Sequence, residues 1–131
     1  MKTYVTVVGV VQHKDKILLL KRTPKRRSSP NKWQTVSGFV SEHEPVEDAV
    51  LREVKEETGL DGKIIRMGKI FIVEDEWGRW ISIPFLVSVQ SDKVEIDTKE
   101  HTEYVWIEPR DFVNYDCIKG MKEDLKSLGF L

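Results

Sequence analysis

Three glutamates near the middle of the chain, Glu53, Glu56 and Glu57, have the spacing most suggestive of chemistry. Positions i, i+3 and i+4 of a helix lie on one stripe, so the three carboxylates would lie side by side. Like charges at this spacing weaken a helix. A hard divalent cation such as Mg²⁺, which prefers carboxylate, water and phosphate oxygens, would offset the repulsion. The competing interpretation is a solvated, charged helix face, which three glutamates alone would favour.

The helix that must carry these glutamates is bounded by residues typical of helix ends. Pro45 suits the first turn, because its fixed φ and missing N–H cost nothing there. Gly59 fits the left-handed position after the last turn, with Leu60 closing the cap by an apolar contact. Arg52 is placed to pair with Glu56 at i+4. One face of this helix is apolar, through Val46, Ala49, Val50 and Val54.

The whole segment from Gly38 to Leu60, GFVSEHEPVEDAVLREVKEETGL, resembles the signature of the Nudix (MutT-like) hydrolase family. The family pattern is Gly, five residues, Glu, seven residues, Arg-Glu, an aliphatic residue, any residue, Glu-Glu, any residue, Gly and an aliphatic residue. A chance match in a chain of this length has a probability of about 10⁻⁸ to 10⁻⁷. The pattern therefore overrides the charged-face interpretation. Every fixed position is matched, by Gly38, Glu44, Arg52, Glu53, Val54, Glu56, Glu57, Gly59 and Leu60.

The resemblance implies an α/β protein with the Nudix fold, an α/β/α sandwich in which a mixed sheet lies between helices. It implies a Mg²⁺-dependent pyrophosphohydrolase, with Mn²⁺ as the alternative metal. The metal ligands would be Glu53, Glu56 and Glu57, and Arg52 would orient a glutamate. Gly38 would let the backbone approach the metal and substrate, and Glu44 would support the loop.

Family members also take a further carboxylate from a loop outside the signature, as metal ligand or general base. Glu100 is the candidate for this catalytic and metal-binding role, because it lies in the polar stretch before Tyr104-Val105-Trp106. Glu103 is the competing choice. An ordinary position at the loop surface is about as well supported for both.

The run Trp33-Gln34-Thr35-Val36-Ser37-Gly38 gives an indication of the substrate class. It is similar to a run in pyrophosphohydrolases of nucleoside or pterin triphosphates, and it favours a nucleoside triphosphate, including oxidised ones. ADP-ribose and dinucleoside polyphosphates share the scissile group and remain alternatives. A non-catalytic nucleotide-sensing module is the other class, although such proteins usually lose signature glutamates. An isoprenoid diphosphate isomerase would want a reactive cysteine, and Cys117 lies far from the signature.

Substrate contacts are expected from two further places. The basic loop from Arg22 to Lys32 contains no acidic residue, and Arg22, at the end of a strand, is the best candidate for a phosphate contact. Trp33, Trp77 and Trp80 are candidates for stacking on a base, although aromatic residues at strand ends more often pack in the core or rim. The three histidines have no metal-ligand spacing, so zinc is not expected.

The chain departs from many relatives at the front of the signature. Val36-Ser37-Gly38 stands where they have a proline and a double glycine, and Ser41 and His43 stand where they often have Glu and Gly. The strict signature does not include these positions, so activity is expected to survive. The missing carboxylate at Ser41 leaves the number of bound metals open.

Runs of β-branched and apolar residues predict the elements around the signature helix. A closing amphipathic helix is expected from about Lys119, through Met121, Leu125 and Leu128. Strands are expected over Thr3–Val11, Lys16–Lys21, Lys63–Val73, Trp80–Val89 and Tyr104–Ile107, whereas Trp33–Val40 is expected to be short and partly extended.

The bulk composition fits one globular domain over residues 1–131, with 40% hydrophobic and 33% charged residues. The formal net charge of −1 gives no reason to expect a nucleic-acid or membrane partner. A single cysteine, no signal-peptide pattern and no run of about 18 apolar residues predict a cytoplasmic protein. Many Nudix relatives form homodimers, and the sequence leaves the oligomeric state open.

Overall fold

The computed structural model describes all 131 residues. They form one mixed sheet with a helix on each face. The two helices are α1 (Val46–Thr58) and α2 (Met121–Ser127), and a 3₁₀ helix spans Pro109–Asn114. The strands are β1 (Thr3–His13), β2 (Lys16–Arg22), β3 (Trp33–Gln34), β4 (Val36–Phe39), β5 (Lys63–Met67), β6 (Phe71–Asp75), β7 (Gly78–Ser88) and β8 (His101–Ile107). Neither α1 nor α2 has the length and apolar character of a membrane-spanning helix.

The centre of the sheet is a parallel pair of long strands, β1 and β7, in continuous register from Thr3↔Arg79 to Gln12↔Ser88. All other pairings between strands are antiparallel. β2 and β4 pair with β1, β5 and β6 pair with β7, and β3 and β8 pair with β2. Both faces of the central pair are covered, which suits strands rich in Val and Ile.

The two helices bury opposite faces of this sheet. The face under α1 includes Val7, Val11 and Leu20 together with the helix residues Ala49, Val50 and Val54. The opposite face packs Val10, Ile17 and Leu86 against Met121, Leu125 and Leu128 of the α2 segment. The predicted α/β/α sandwich is therefore present, with both predicted amphipathic faces buried.

One predicted strand, Lys63–Val73, is wrong as a single element. It is divided into β5 and β6, which pair with different halves of β7. At the break, Gly68 donates its backbone N–H to Pro84 O (2.8 Å), and Lys69 N donates to Ser127 Oγ of α2. A Cβ at Gly68 would lie 2.2 Å from Ser127 Oγ, so the strand turns away where α2 comes close.

The start of α1 differs slightly from the prediction. Pro45 precedes the helix as its N-cap, with φ −62° and ψ 145°, and does not occupy the first turn. The end agrees with the prediction, because Gly59 is left-handed (φ 75°) and its N–H donates to Lys55 O.

Strand pairing decides which loops meet α1. Val7 of β1 opposes Gly38 of β4, and this places the signature glycine beside the helix. β2 and β8 pair with a register shift between Lys21 and Arg22. The loop after β2 therefore meets the segment before β8, where Thr23 N donates to Glu100 O (3.2 Å).

Candidate active site

A polar cleft of about 400 Å³ lies between α1, β4, the loop after β2 and the segment before β8. We call it the carboxylate cleft, because five of its residues are acidic and two are arginines. It is lined by Arg26, Gln34, Ser37, Gly38, Phe39, Ser41, Arg52, Glu53, Glu56, Glu57, Asp97 and Glu100.

Arg52 is the organising cation of this cleft. Its guanidinium binds Glu44 through two hydrogen bonds, Nε to Oε2 (2.8 Å) and Nη2 to Oε1 (3.0 Å). It also donates to Glu53 (2.8 Å), to Glu56 (3.2 Å) and to the Phe39 carbonyl (3.0 Å). The predicted i, i+4 contact with Glu56 is present, but the contact with Glu44 has the better geometry. Arg52 thus fixes two cleft carboxylates and ties the loop before α1 to the helix.

Glu44 is held as an anion by these contacts. The hydrogen bonds from Arg52 and then from the Ser41 N–H lower the pKa of the Glu44 carboxyl to about 2. Ser41 and Glu44 bond reciprocally, Ser41 N to Glu44 Oε1 and Glu44 N to Ser41 O, both at 3.0 Å. Within this turn His43 has a positive φ of 62°. This is the left-handed region that favours the glycine of many relatives.

Gly38 touches the carboxylate of Glu53. A Cβ at residue 38 would lie 2.2 Å from Glu53 Cδ and 2.4–2.6 Å from its two oxygens. No side chain fits there unless Glu53 moves. The glycine therefore lets the Glu53 carboxylate rest against β4, between Arg52 and the cleft.

Glu57 is the buried member of the glutamate stripe. Burial raises the pKa of its carboxyl well above the usual value, and the neighbouring Glu53 raises it further. Its Oε2 has no hydrogen-bond partner, and its Oε1 lies 3.7 Å from His101 Nε2. Burial, and then the charges of Arg26 and Arg22, lower the pKa of His101 to about 4, so the imidazole is neutral at pH 7. His101 therefore does not neutralise Glu57.

A second cavity of about 250 Å³ opens beside the carboxylate cleft and shares Arg26, Gln34, Ser37, Gly38 and Phe39 with it. Phe39, Phe71 and Trp80 give it aromatic walls. At its lining lies Asp124 of α2, 6% exposed, which accepts a hydrogen bond from Ser82 Oγ (3.2 Å). Burial raises the pKa of Asp124 to about 7.

Comparison with known proteins agrees with this geometry. A profile of the NUDIX domain matches residues 2–127. The chain belongs to the NUDIX family. The family membership expected from the signature is confirmed, and the match extends over nearly the whole sheet and both helices, well beyond the signature.

Three relatives illustrate the Nudix match. An ADP-ribose pyrophosphatase from Methanocaldococcus jannaschii is 37% identical, over 73% of this chain and 58% of that protein, so the chain spans little more than half of that relative. The nucleoside triphosphatase NudI of Escherichia coli O81 is 26% identical, with both chains covered in full. The crystal structure of a MutT protein from Methanosarcina mazei Go1 superimposes with a TM-score of 0.81 at 27% identity, covering 93% of this chain and 88% of that one.

The donor set of the Nudix helix fits a hard divalent cation. Glu57 offers an unpartnered, buried oxygen, and the Glu53 carboxylate lies beside it. The side chains do not form a preassembled cluster of three or more metal ligands. Mg²⁺ does not require one, because it is typically held by one or two carboxylates and completes its shell with water and substrate phosphates. We expect Glu53 and Glu57 to hold the ion, with the more exposed Glu56 at its edge.

The structure separates the two candidate carboxylates outside the signature. Glu100 lines the carboxylate cleft, where it forms an ion pair with Arg26. Glu103 does not line this cleft, and its Oε2 lies 3.6 Å from Lys21 Nζ. Asp97, which sequence reasoning missed, also lines the cleft, and its carbonyl accepts hydrogen bonds from Glu100 N (3.0 Å) and His101 N (2.9 Å). The placement favours Glu100 over Glu103, and its role stays a prediction.

Two predicted substrate contacts lie outside the carboxylate cleft. Arg22 is only 7% exposed, and its guanidinium binds Gln34 Oε1 (2.5 Å) and the carbonyls of Ser28 and Ser29. These bonds hold the basic loop in place, and Arg22 lines only the second cavity. Trp33 lines neither cavity and packs edge-on against Tyr115, with ring centroids 5.3 Å apart.

Three residues to which the sequence assigned no individual role complete the site. Arg26, Gln34 and His101 belong to different elements and meet only because β2, β3 and β8 are neighbours. Of the candidate tryptophans, Trp80 lines the second cavity and stacks on Tyr4, with ring centroids 5.6 Å apart. Trp77 lines neither cavity.

Proposed function

We propose that this Nudix protein is a Mg²⁺-dependent pyrophosphohydrolase that converts a nucleoside triphosphate to a monophosphate and pyrophosphate. The observation that carries the proposal is Glu57, a buried carboxylate with an unpartnered oxygen next to Glu53. Such a pair is unfavourable in an empty protein. Its burial makes sense when a divalent cation neutralises both carboxylates.

The two joined cavities support a nucleotide substrate. The carboxylate cleft suits a metal-bound diphosphate, whereas the second cavity offers aromatic walls and the polar groups of Ser82 and Asp124. Pockets that combine apolar walls with a few placed polar groups are typical of small-molecule sites. A nucleoside bound there would direct its phosphates past Gly38 toward α1.

The chemistry divides among the residues of the chain. When bound, Mg²⁺ would neutralise the diphosphate oxygens and acidify a coordinated water. Glu53 and Glu57 would hold the ion, and Arg52 keeps Glu53 oriented. Hydrolysis consumes one water, forms one P–O bond to the water oxygen, breaks one P–O bond of the anhydride and releases one proton. Glu100 is the candidate to accept that proton, because it lines the same cleft as Glu53 and Glu57 and comes from outside the helix.

The alternative substrate is ADP-ribose, which the name of the 37% identical archaeal relative favours. The name of the NudI relative, matched in full length, favours a nucleoside triphosphate. Both substrates place a diphosphate in the same cleft. A sensor without turnover is disfavoured, since all signature glutamates are kept.

A product screen decides among these substrates. Nucleoside triphosphates, oxidised triphosphates, ADP-ribose and dinucleoside polyphosphates are each incubated with Mg²⁺ or EDTA, and the products are separated by ion-exchange chromatography. We expect Mg²⁺-dependent release of pyrophosphate from a triphosphate. Two monophosphates from ADP-ribose would select the alternative. A folded protein that turns over no member of the panel would contradict the proposal.

A further inference from the structure

The loop after β2 places one arginine where it faces both cavities. Arg26 lines the carboxylate cleft and the second cavity, near the place where a substrate would pass from one to the other. Its side chain is 30% exposed and pairs with Glu100, which is 46% exposed. The turn that carries it rests on the same segment, through Arg26 N to Thr23 O (3.3 Å) and Thr23 N to Glu100 O (3.2 Å).

Arg26 is the cation of the cleft that is free to change partners. The other cleft arginine, Arg52, donates to Glu44, Glu53, Glu56 and the Phe39 carbonyl. Arg22 is buried and bonded within its own loop. Arg26, by contrast, makes one side-chain contact, with a partly exposed carboxylate. Ion pairs at such exposure contribute little stability, so this pair is readily exchanged.

A phosphate group is a better partner for Arg26 than Glu100 is. It offers several anionic oxygens in the geometry that the planar guanidinium binds through two hydrogen bonds. Glu100 itself is surrounded by acidic neighbours in the cleft, among them Glu57 and Asp97. While Arg26 pairs with Glu100, the Oε2 atom of this carboxylate is occupied by the guanidinium.

Resting on the proposed function of this cleft, we propose that Arg26 is a substrate-phosphate ligand that exchanges partners: it pairs with Glu100 in the free protein and with the substrate phosphate in the complex. The exchange frees Glu100 Oε2 when a phosphate is present. Glu100 and the substrate therefore compete for one guanidinium, and this competition can be measured.

The test is a double-mutant cycle on ligand binding. The probe is methylenediphosphonate, a diphosphate analogue with a bridging carbon that cannot be hydrolysed, titrated calorimetrically at saturating Mg²⁺. The proteins are wild type, R26A, E100Q and the double variant. R27A is the matched control, since Arg27 is an exposed cation of the same loop that lines neither cavity.

We expect R26A to weaken binding about tenfold, as for a lost charge-assisted hydrogen bond, and R27A to change it less than twofold. The decisive result is the coupling. The factor by which E100Q strengthens probe binding should be about two- to fivefold larger when Arg26 is present than in the R26A background. The reason is that E100Q removes the competing partner of Arg26. A general charge effect, or a metal contact of Glu100, changes both backgrounds equally.

The outcomes separate this inference from the proposed function. Equal effects of E100Q in both backgrounds, or wild-type binding by R26A, would overturn the partner exchange while leaving the diphosphate cleft in place. Failure of the wild-type protein to bind the probe at all would overturn both.

Discussion

Gly38 lies directly against the Glu53 carboxylate, and the geometry of the site depends on this contact. Alanine at position 38 would place its Cβ 2.2 Å from Glu53 Cδ. The far end of a glutamate can move aside cheaply, so we expect G38A to fold, with a free energy of unfolding within about 1 kcal/mol of wild type. Turnover should fall at least about tenfold, because the carboxylate leaves its position. Urea denaturation and steady-state kinetics on the same preparation measure both quantities, and unchanged turnover would show that the contact is dispensable.

A second residue-scale prediction concerns Asp124. Burial raises its pKa from 3.8 to about 7, so the folded protein binds a proton there that the unfolded chain has lost. The contribution of Asp124 to stability therefore falls as pH rises from about 4 to 7, by at most about 1.4 kcal/mol per pH unit. D124N, a neutral isostere, removes this dependence. Urea denaturation at several pH values should show the free energy of D124N rising relative to wild type across that window, whereas parallel curves would refute the assignment.

The sequence predicts which side chains lie together inside the signature, but not which ones join them from outside it. The glutamates and Arg52 lie within five residues of each other on one helix, so helical spacing alone places them together. Arg26 and Asp97 reach the same cleft, and His101 comes within 3.7 Å of Glu57, through pairing of β2 with β8, which a local pattern cannot reveal. Arg22 does not line the carboxylate cleft, because its loop folds back and surrounds its guanidinium with carbonyls.

At the scale of elements, α1 is the rigid support of the site, and its end can be altered without touching the cleft. Gly59 has φ 75°, and a Cβ there would meet Glu95 only at ordinary contact distance. G59A should therefore cost about 1 kcal/mol of unfolding free energy from backbone strain. The kcat of the folded fraction should stay near wild type, as urea denaturation and kinetics would show. A large loss of kcat would mean that the cap also sets the positions of the glutamates.

Element prediction failed where two elements interact. The apolar run Lys63–Val73 reads as one strand, but contact of Gly68 with α2 and its hydrogen bond to Pro84 divide it. The 3₁₀ helix Pro109–Asn114 likewise has no hydrophobic period of its own. Elements with a strong local period, β1, β2, α1 and α2, were predicted to within a few residues.

At the scale of the whole molecule, the sheet brings two different environments together. The α1 side supplies the carboxylate cleft, and α2, with β6 and β7, supplies the second cavity. The α/β/α arrangement followed from the family signature, whereas the joining of the two cavities at Gly38 and Phe39 required the folded chain. Substrate choice belongs to this scale, because the residues around the second cavity come from six separate segments of the sequence.

Turnover of a nucleoside triphosphate by wild type and by E57Q at saturating Mg²⁺ measures directly whether Glu57 holds the metal. We expect wild type to turn over the triphosphate, EDTA to abolish turnover, and E57Q to lose turnover on the order of 100-fold or more. E57Q should melt at or above the wild-type temperature in EDTA, since a neutral amide replaces a buried carboxylate. E57Q that turned over at the wild-type rate would contradict the assignment of Glu57 and, with it, the proposed mechanism.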